Sequence, residues 1–88
     1  MDVFKIGMLV YSKAGHDAGE AYLICEIEDE YLYLVDGQKK TLDKPKKKKK
    51  RHVQRTNSIY DIQTSDDVAI KRVIKEALLG ENKEDAYV

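Results

Sequence analysis

Cysteine is almost missing from this chain: Cys25 stands alone among 88 residues, in the middle of the apolar stretch 22–27. A single thiol excludes an intrachain disulfide and any cysteine-based metal cluster. A lone cysteine on an apolar strand reads as a small buried hydrophobe. Long hydrophobic runs are missing too. Nothing approaches the length of a membrane span, and the N-terminus has no apolar core of the secretory-signal kind, so a cytoplasmic protein without a membrane partner is expected. Histidine is scarce, with only His16 and His52, far apart and with no cysteine beside them, which is no metal signature. His16 and Asp17 are neighbours in a glycine-rich turn with no Ser or Cys nucleophile in the local pattern, so they do not read as a catalytic pair. The acids Glu26, Glu28, Asp29 and Glu30 read as a polar rim. No enzyme, cofactor, metal or small-molecule substrate is expected.

Net charge is missing as well, but the zero is a sum of unlike parts. Residues 1–38 carry −6, residues 39–55 carry +9, and residues 56–88 carry −3. A segment this basic on an otherwise acidic body points to a polyanion. With 88 residues there is room for one domain and one small core.

What is present organises around residues 7–27. Met8, Leu9, Val10, Tyr11 and Ser12 form a first strand and residues 21–28 a second, with Gly15 and Gly19 around His16 and Asp17 between them. Alternation puts Met8 and Val10 on one face and Leu9 and Tyr11 on the other; both are apolar, so both faces meet something. Asp29 and Glu30 turn the chain into a third strand at 31–35. Asp36-Gly37 is a hairpin signal that sends 39–42 back as a fourth strand. The lysine run 44–51 then has like charges on both sides of an extended chain. An unpaired buried ammonium is costly and adjacent like charges oppose a helix, so the run is expected to project as a solvated ribbon. A last strand follows at 52–56, and Asn57 and Ser58 break it.

Residues 57–64 read as a connector whose Ile59 and Ile62 can lie on the barrel. Thr64 or Ser65 is the expected helix cap, with Asp66 and Asp67 in the first turn. Ile70, Val73, Ile74, Ala77 and Leu78 form a helical stripe over 65–80, expected to close one open end of a barrel. Gly80 suits the position after the helix, and 81–88 reads as a flexible tail.

The pattern Gly7, Val10, Gly15, Asp17, Gly19 followed by a hydrophobic strand resembles the KOW motif. Leu34-Val35-Asp36-Gly37 and residues 52–56 are similar to segments of the KOW-bearing large-subunit ribosomal proteins of archaea and eukaryotes. The resemblance covers residues 5–56; Ala18 and Glu20 stand where the motif usually carries Lys or Arg. It implies a mainly β fold, a small SH3-like five-stranded barrel of KOW type over 1–56 with one C-terminal α-helix. It also implies RNA as partner, ribosomal RNA first, with a role in translation.

The expected phosphate-binding residues are Lys39, Lys40, Lys44, Lys46, Lys47, Lys48, Lys49 and Lys50, with Arg51, His52 and Arg55 fixing orientation on the ribbon 39–55. Tyr33 or Tyr11, if turned outward, can stack unpaired bases. A protein-binding adaptor of the translation or transcription machinery, using the barrel or helix surface, is the alternative. DNA binding through the same ribbon is a third reading.

Overall fold

The computed structural model describes residues 3–86, with side chains described for 3–80. Five antiparallel strands form one sheet: β1 (Met8–Ser12), β2 (Ala21–Glu28), β3 (Tyr31–Val35), β4 (Lys46–Lys49) and β5 (Val53–Ile59), followed by the helix α1 (Asp67–Ala86). The order across the sheet is β4-β3-β2-β1-β5. The fold is therefore mainly β with a C-terminal helix, as the sequence leads one to expect.

The two outer strands are consecutive in the chain, joined only by a 3-10 turn at Lys50–His52. In a flat sheet they would lie about 19 Å apart, at ~4.8 Å per strand. A three-residue turn spans only about 6 Å. The sheet must therefore roll until its edges approach. No ladder joins β4 to β5 among the described residues, so the roll stays open.

Rolling gives the sheet a concave and a convex side, and the alternation in β1 fills both. Met8, Val10, Tyr22, Ile24, Leu32, Leu34 and Val53 form the concave core, with Phe4 and Ile27 packed against it. Leu9, Leu23 and Val35 form the convex core with Ile62, Ile70 and Ile74. The helix stripe is thus buried as expected, but against the convex face of the sheet and not over an open end. The reason is that Leu9, Leu23 and Val35 already make that face apolar, and each is completely inaccessible beneath the helix. Val3 and Ile6 are exposed; Ile62 packs as expected while Ile59 is exposed. No helix among the described residues is long and apolar enough to cross a membrane.

Three boundaries differ from expectation for identifiable reasons. First, 39–42 is a turn, not a strand. The Asp36 carboxylate accepts from the backbone N–H of Gln38 and Lys40, both at 2.8 Å, and curls the chain after β3. Second, β5 continues through Asn57 and Ser58 to Ile59. A register shift opposite 8–10 absorbs the extra residues. There the Thr56 hydroxyl donates to the Leu9 carbonyl at 2.6 Å and accepts from the Ser58 N–H at 3.1 Å. Third, the cap is Asp66, whose carboxylate accepts from the Ala69 N–H at 2.8 Å, so α1 starts later than Thr64 or Ser65 would start it. The helix then runs through Gly80 to Ala86, so Gly80 does not end it and most of the expected tail is helical backbone; the last two residues lie outside the described ones.

Two glycines are fixed by close approach. At Gly7, with φ +86°, a Cβ would run into the Tyr60 carbonyl, where the connector crosses the start of β1. At Gly37, with φ +78°, it would run into the Asp67 carbonyl at the start of α1. Both combine left-handed backbone with no room for a side chain.

Candidate nucleic-acid interface

The lysine run is not a ribbon in solvent. It is the edge strand β4, paired antiparallel with β3 in the register Leu34↔Lys46, Tyr33↔Lys47, Leu32↔Lys48 and Tyr31↔Lys49. Lysines on an edge strand discourage pairing with another chain, which is one reason this composition suits the position. The register sorts the run by parity. Lys46 and Lys48 share the concave side with Leu34 and Leu32, while Lys47 and Lys49 share the convex side with Tyr33 and Tyr31.

The concave pair is held from within by one carboxylate. Asp17, in the loop between Gly15 and Gly19, turns its carboxylate under the roll, where it is 9% exposed. It accepts from Lys48 Nζ at 3.0 Å, the Ser12 hydroxyl at 2.9 Å and the Tyr22 hydroxyl at 3.1 Å. Lys46 Nζ lies 3.5 Å from its other oxygen. Lys48, 10% exposed, also donates to the Ala14 carbonyl at 2.8 Å. The expectation that no lysine of this run is buried is therefore corrected: a single carboxylate some thirty residues upstream supplies the missing charge.

Burial alone would raise the Asp17 pKa, but the hydrogen bonds from Lys48, Ser12 and Tyr22 and the charge of Lys46 outweigh it and hold the carboxyl well below its ordinary value. Burial and the Asp17 charge push the Tyr22 phenol the other way, well above its ordinary value. Burial likewise raises the Cys25 thiol, which is half-buried beside the convex core. Asp17, between Gly15 and Gly19, thus makes an internal latch. His16 beside them is exposed and does not join the cluster.

The remaining expected residues divide as follows. Lys39 reaches Glu20 at 3.6 Å and Lys47 reaches Glu28 at 3.9 Å, both at exposed sites where such pairs are weak. Lys44, Lys49, Arg51 and Arg55 are exposed; Lys40, Lys50 and His52 are half-buried. Lys49, Lys50 and Arg51 border a groove of about 320 Å³ with Asp29 and Glu30. The His52 carbonyl accepts from the Lys13 N–H at 2.8 Å, tying the 3-10 turn to the end of β1. Arg55 lies across from Val10 on β5, the other edge strand of the rolled sheet. Gly7 and Val10 of the motif are buried and structural.

Sequence reasoning anticipated Tyr33 but passed over Tyr31. Both stand on the convex side of β3, and Lys47 Nζ lies over them, 4.4 Å from the Tyr31 ring centre and 5.9 Å from that of Tyr33. The signal that could have found them is the i, i+2 spacing of two tyrosines on one short strand. Tyr11 instead lines a groove between the sheet and α1, with Ile74 and Leu78. No family model matches this sequence, and no curated protein is similar to it at a significant level.

Proposed function

We propose that this is an RNA-binding protein of KOW type, associated with ribosomal RNA in the cytoplasm, that grips phosphates along the β4 edge. The observation that carries the reading is the exposed cationic rim formed by Lys44, Lys47, Lys49 and Arg51 on a single edge of a folded sheet. Lys39 and Lys40 extend it at the turn after β3, and Arg55 adds a cation on β5. Lys48 leaves the phosphate-binding set, because it is buried against Asp17 and holds β4 in place; Lys46, a third exposed, shares that one carboxylate and keeps part of its charge for the rim. The resemblance of the glycine loop to the KOW motif supports RNA ahead of duplex DNA.

Contact with about five phosphates gives binding that weakens by roughly two to three decades between 50 and 200 mM salt, through counterion release. The test separates the two parities of the run. Lys47→Gln with Lys49→Gln should lower the salt slope by about two, one per lost contact. Lys48→Met should lower thermal stability and leave the slope unchanged. Salt-insensitive RNA affinity in the wild type, or a slope that ignores the convex lysines, would remove the reading. For the adaptor alternative, the helix stripe is taken up by Ile70 and Ile74 packing on the protein's own sheet, which leaves the acidic barrel surface as its contact face.

A further inference from the structure

We infer that the convex face across β2, β3 and β4 is a platform for an unpaired, amino-bearing base of an RNA strand. This rests on the RNA-binding reading and deepens it, from phosphate grip to a choice of strand and base.

Two rungs cross this face. One runs Glu26–Tyr33–Lys47 and the other Glu28–Tyr31–Lys49. Directly opposed residues project on the same side of a sheet, so the face carries an acidic row, an aromatic row and a cationic row in that order. A nucleotide is polarised in the same sense: an anionic phosphate, an aromatic ring, then hydrogen-bond donors on the far edge of the base. The distance from β4 to β2 is two strand spacings, about 10 Å, on the order of a nucleotide's length.

In the free protein the three rows satisfy one another. Lys47 sits over the Tyr31 ring and 3.9 Å from Glu28, and the Tyr33 hydroxyl donates to the same carboxylate at 3.3 Å. None of these contacts is locked, because the Lys47 and Glu28 side chains are 49% and 52% exposed. A nucleotide replaces each with a stronger partner. The Lys47 ammonium takes a phosphate, the tyrosine ring takes a base, and the Glu28 carboxylate takes an exocyclic amino group. Lys47 is thus a cover that swings aside as the base enters.

Selectivity follows from the acidic row. Adenine, cytosine and guanine each present an amino group to a carboxylate, whereas uracil presents carbonyl oxygens on either side of a single N–H. A duplex keeps its base faces inside the stack, out of reach of a sheet surface. The site therefore prefers single strands of the amino-bearing bases adenine, cytosine or guanine over uracil.

The test measures affinity of the full chain for labelled hexamers of oligo(A), oligo(C) and oligo(U) and for a blunt RNA duplex, at one low salt concentration. Wild type should bind oligo(A) and oligo(C) at least fivefold tighter than oligo(U). Tyr31→Leu with Tyr33→Leu should lose roughly fivefold to a hundredfold per ring on oligo(A), and stay within twofold on the duplex. Glu28→Gln should erase the preference over oligo(U). Should the tyrosine variant fail to fold, ring resonances of tyrosine-labelled wild type decide the matter: those of Tyr31 and Tyr33 should shift upfield on adding oligo(A). Unmoved ring resonances, or a tyrosine variant that loses duplex and single strand alike, overturn the inference while leaving phosphate binding intact. A wild type that binds no RNA overturns both.

Discussion

Replacing Asp17 with asparagine removes one charge from the centre of the latch and barely alters its shape. Lys48 then stays 10% exposed with only neutral acceptors, the Ala14 carbonyl and the asparagine Oδ1, and Lys46 loses its carboxylate. Removing one member of a buried ion pair costs about 3–5 kcal/mol. The 32% exposure of Lys46 and the surviving Ala14 contact reduce the expectation to about 2–4 kcal/mol. For a domain of this size that is a fall in Tm of about 10–25 °C. Urea and thermal melts followed by far-UV circular dichroism measure it directly.

The pH dependence has a defined sign. The folded-state pKa of Asp17 lies below the ordinary 3.8 of the unfolded chain. Its contribution is complete above that value and is lost as pH falls towards the folded pKa. The stability gap between wild type and Asp17→Asn should therefore narrow below about pH 4. Asp17→Asn combined with Lys48→Met should be less damaging than the sum of the two, by at least ~1 kcal/mol. An Asp17→Asn protein within about 0.5 kcal/mol of wild type, the range of an ordinary surface substitution, would refute the latch.

Gly80→Ala should stabilise the protein by about 0.5–1 kcal/mol, because Gly80 lies inside α1 and a Cβ there meets open space. A falling Tm would place the helix end earlier. Gly37→Ala should cost about 2–4 kcal/mol through left-handed backbone and collision with the start of α1, with hydrogen exchange rising first in residues 70–78. Undisturbed exchange there would contradict that close approach. The raised phenol of Tyr22 contributes stability that is complete below its ordinary pKa of 10.0 and is lost progressively as pH rises from there towards the raised folded-state value. Tyr22→Phe should flatten that alkaline loss in urea midpoints taken between about pH 9 and 11.

The first three strands were legible because each is a short apolar run, rich in β-branched and aromatic residues and bounded by turn residues, and the helix because its stripe has a period near four. The fourth strand was not, for a specific reason. In 46–49 every residue is lysine, so the inward and outward positions look alike, and the period that marks a strand is invisible. Charge repulsion along the run was weighed without the countercharge, which arrives from a loop thirty residues away. Asp17 itself stood out in the sequence only through its flanking glycines, which hint at a turn and say nothing of where the carboxylate points. The helix cap shifted by one or two residues because three adjacent side chains, Ser65, Asp66 and Asp67, can each cap, and Asp67 is occupied by the Leu42 N–H at 2.8 Å. Among the site residues, exposure sorted what composition could not. The convex lysines stayed outward, while Lys46 and Lys48 turned into the roll.

A strand spelled with one letter carries no internal mark of its alignment. Sliding β4 by two positions along β3 would exchange lysine for lysine at almost every rung, with nothing in the side chains to object. Alignment must be enforced from outside the repeat, by the Lys50 N–H clasping the Glu30 carbonyl at 2.8 Å and by Pro45 and Val53 at its borders. Inserting or deleting one lysine would hardly change the overall charge, yet it would exchange which members of the run meet Asp17 and which face the tyrosines.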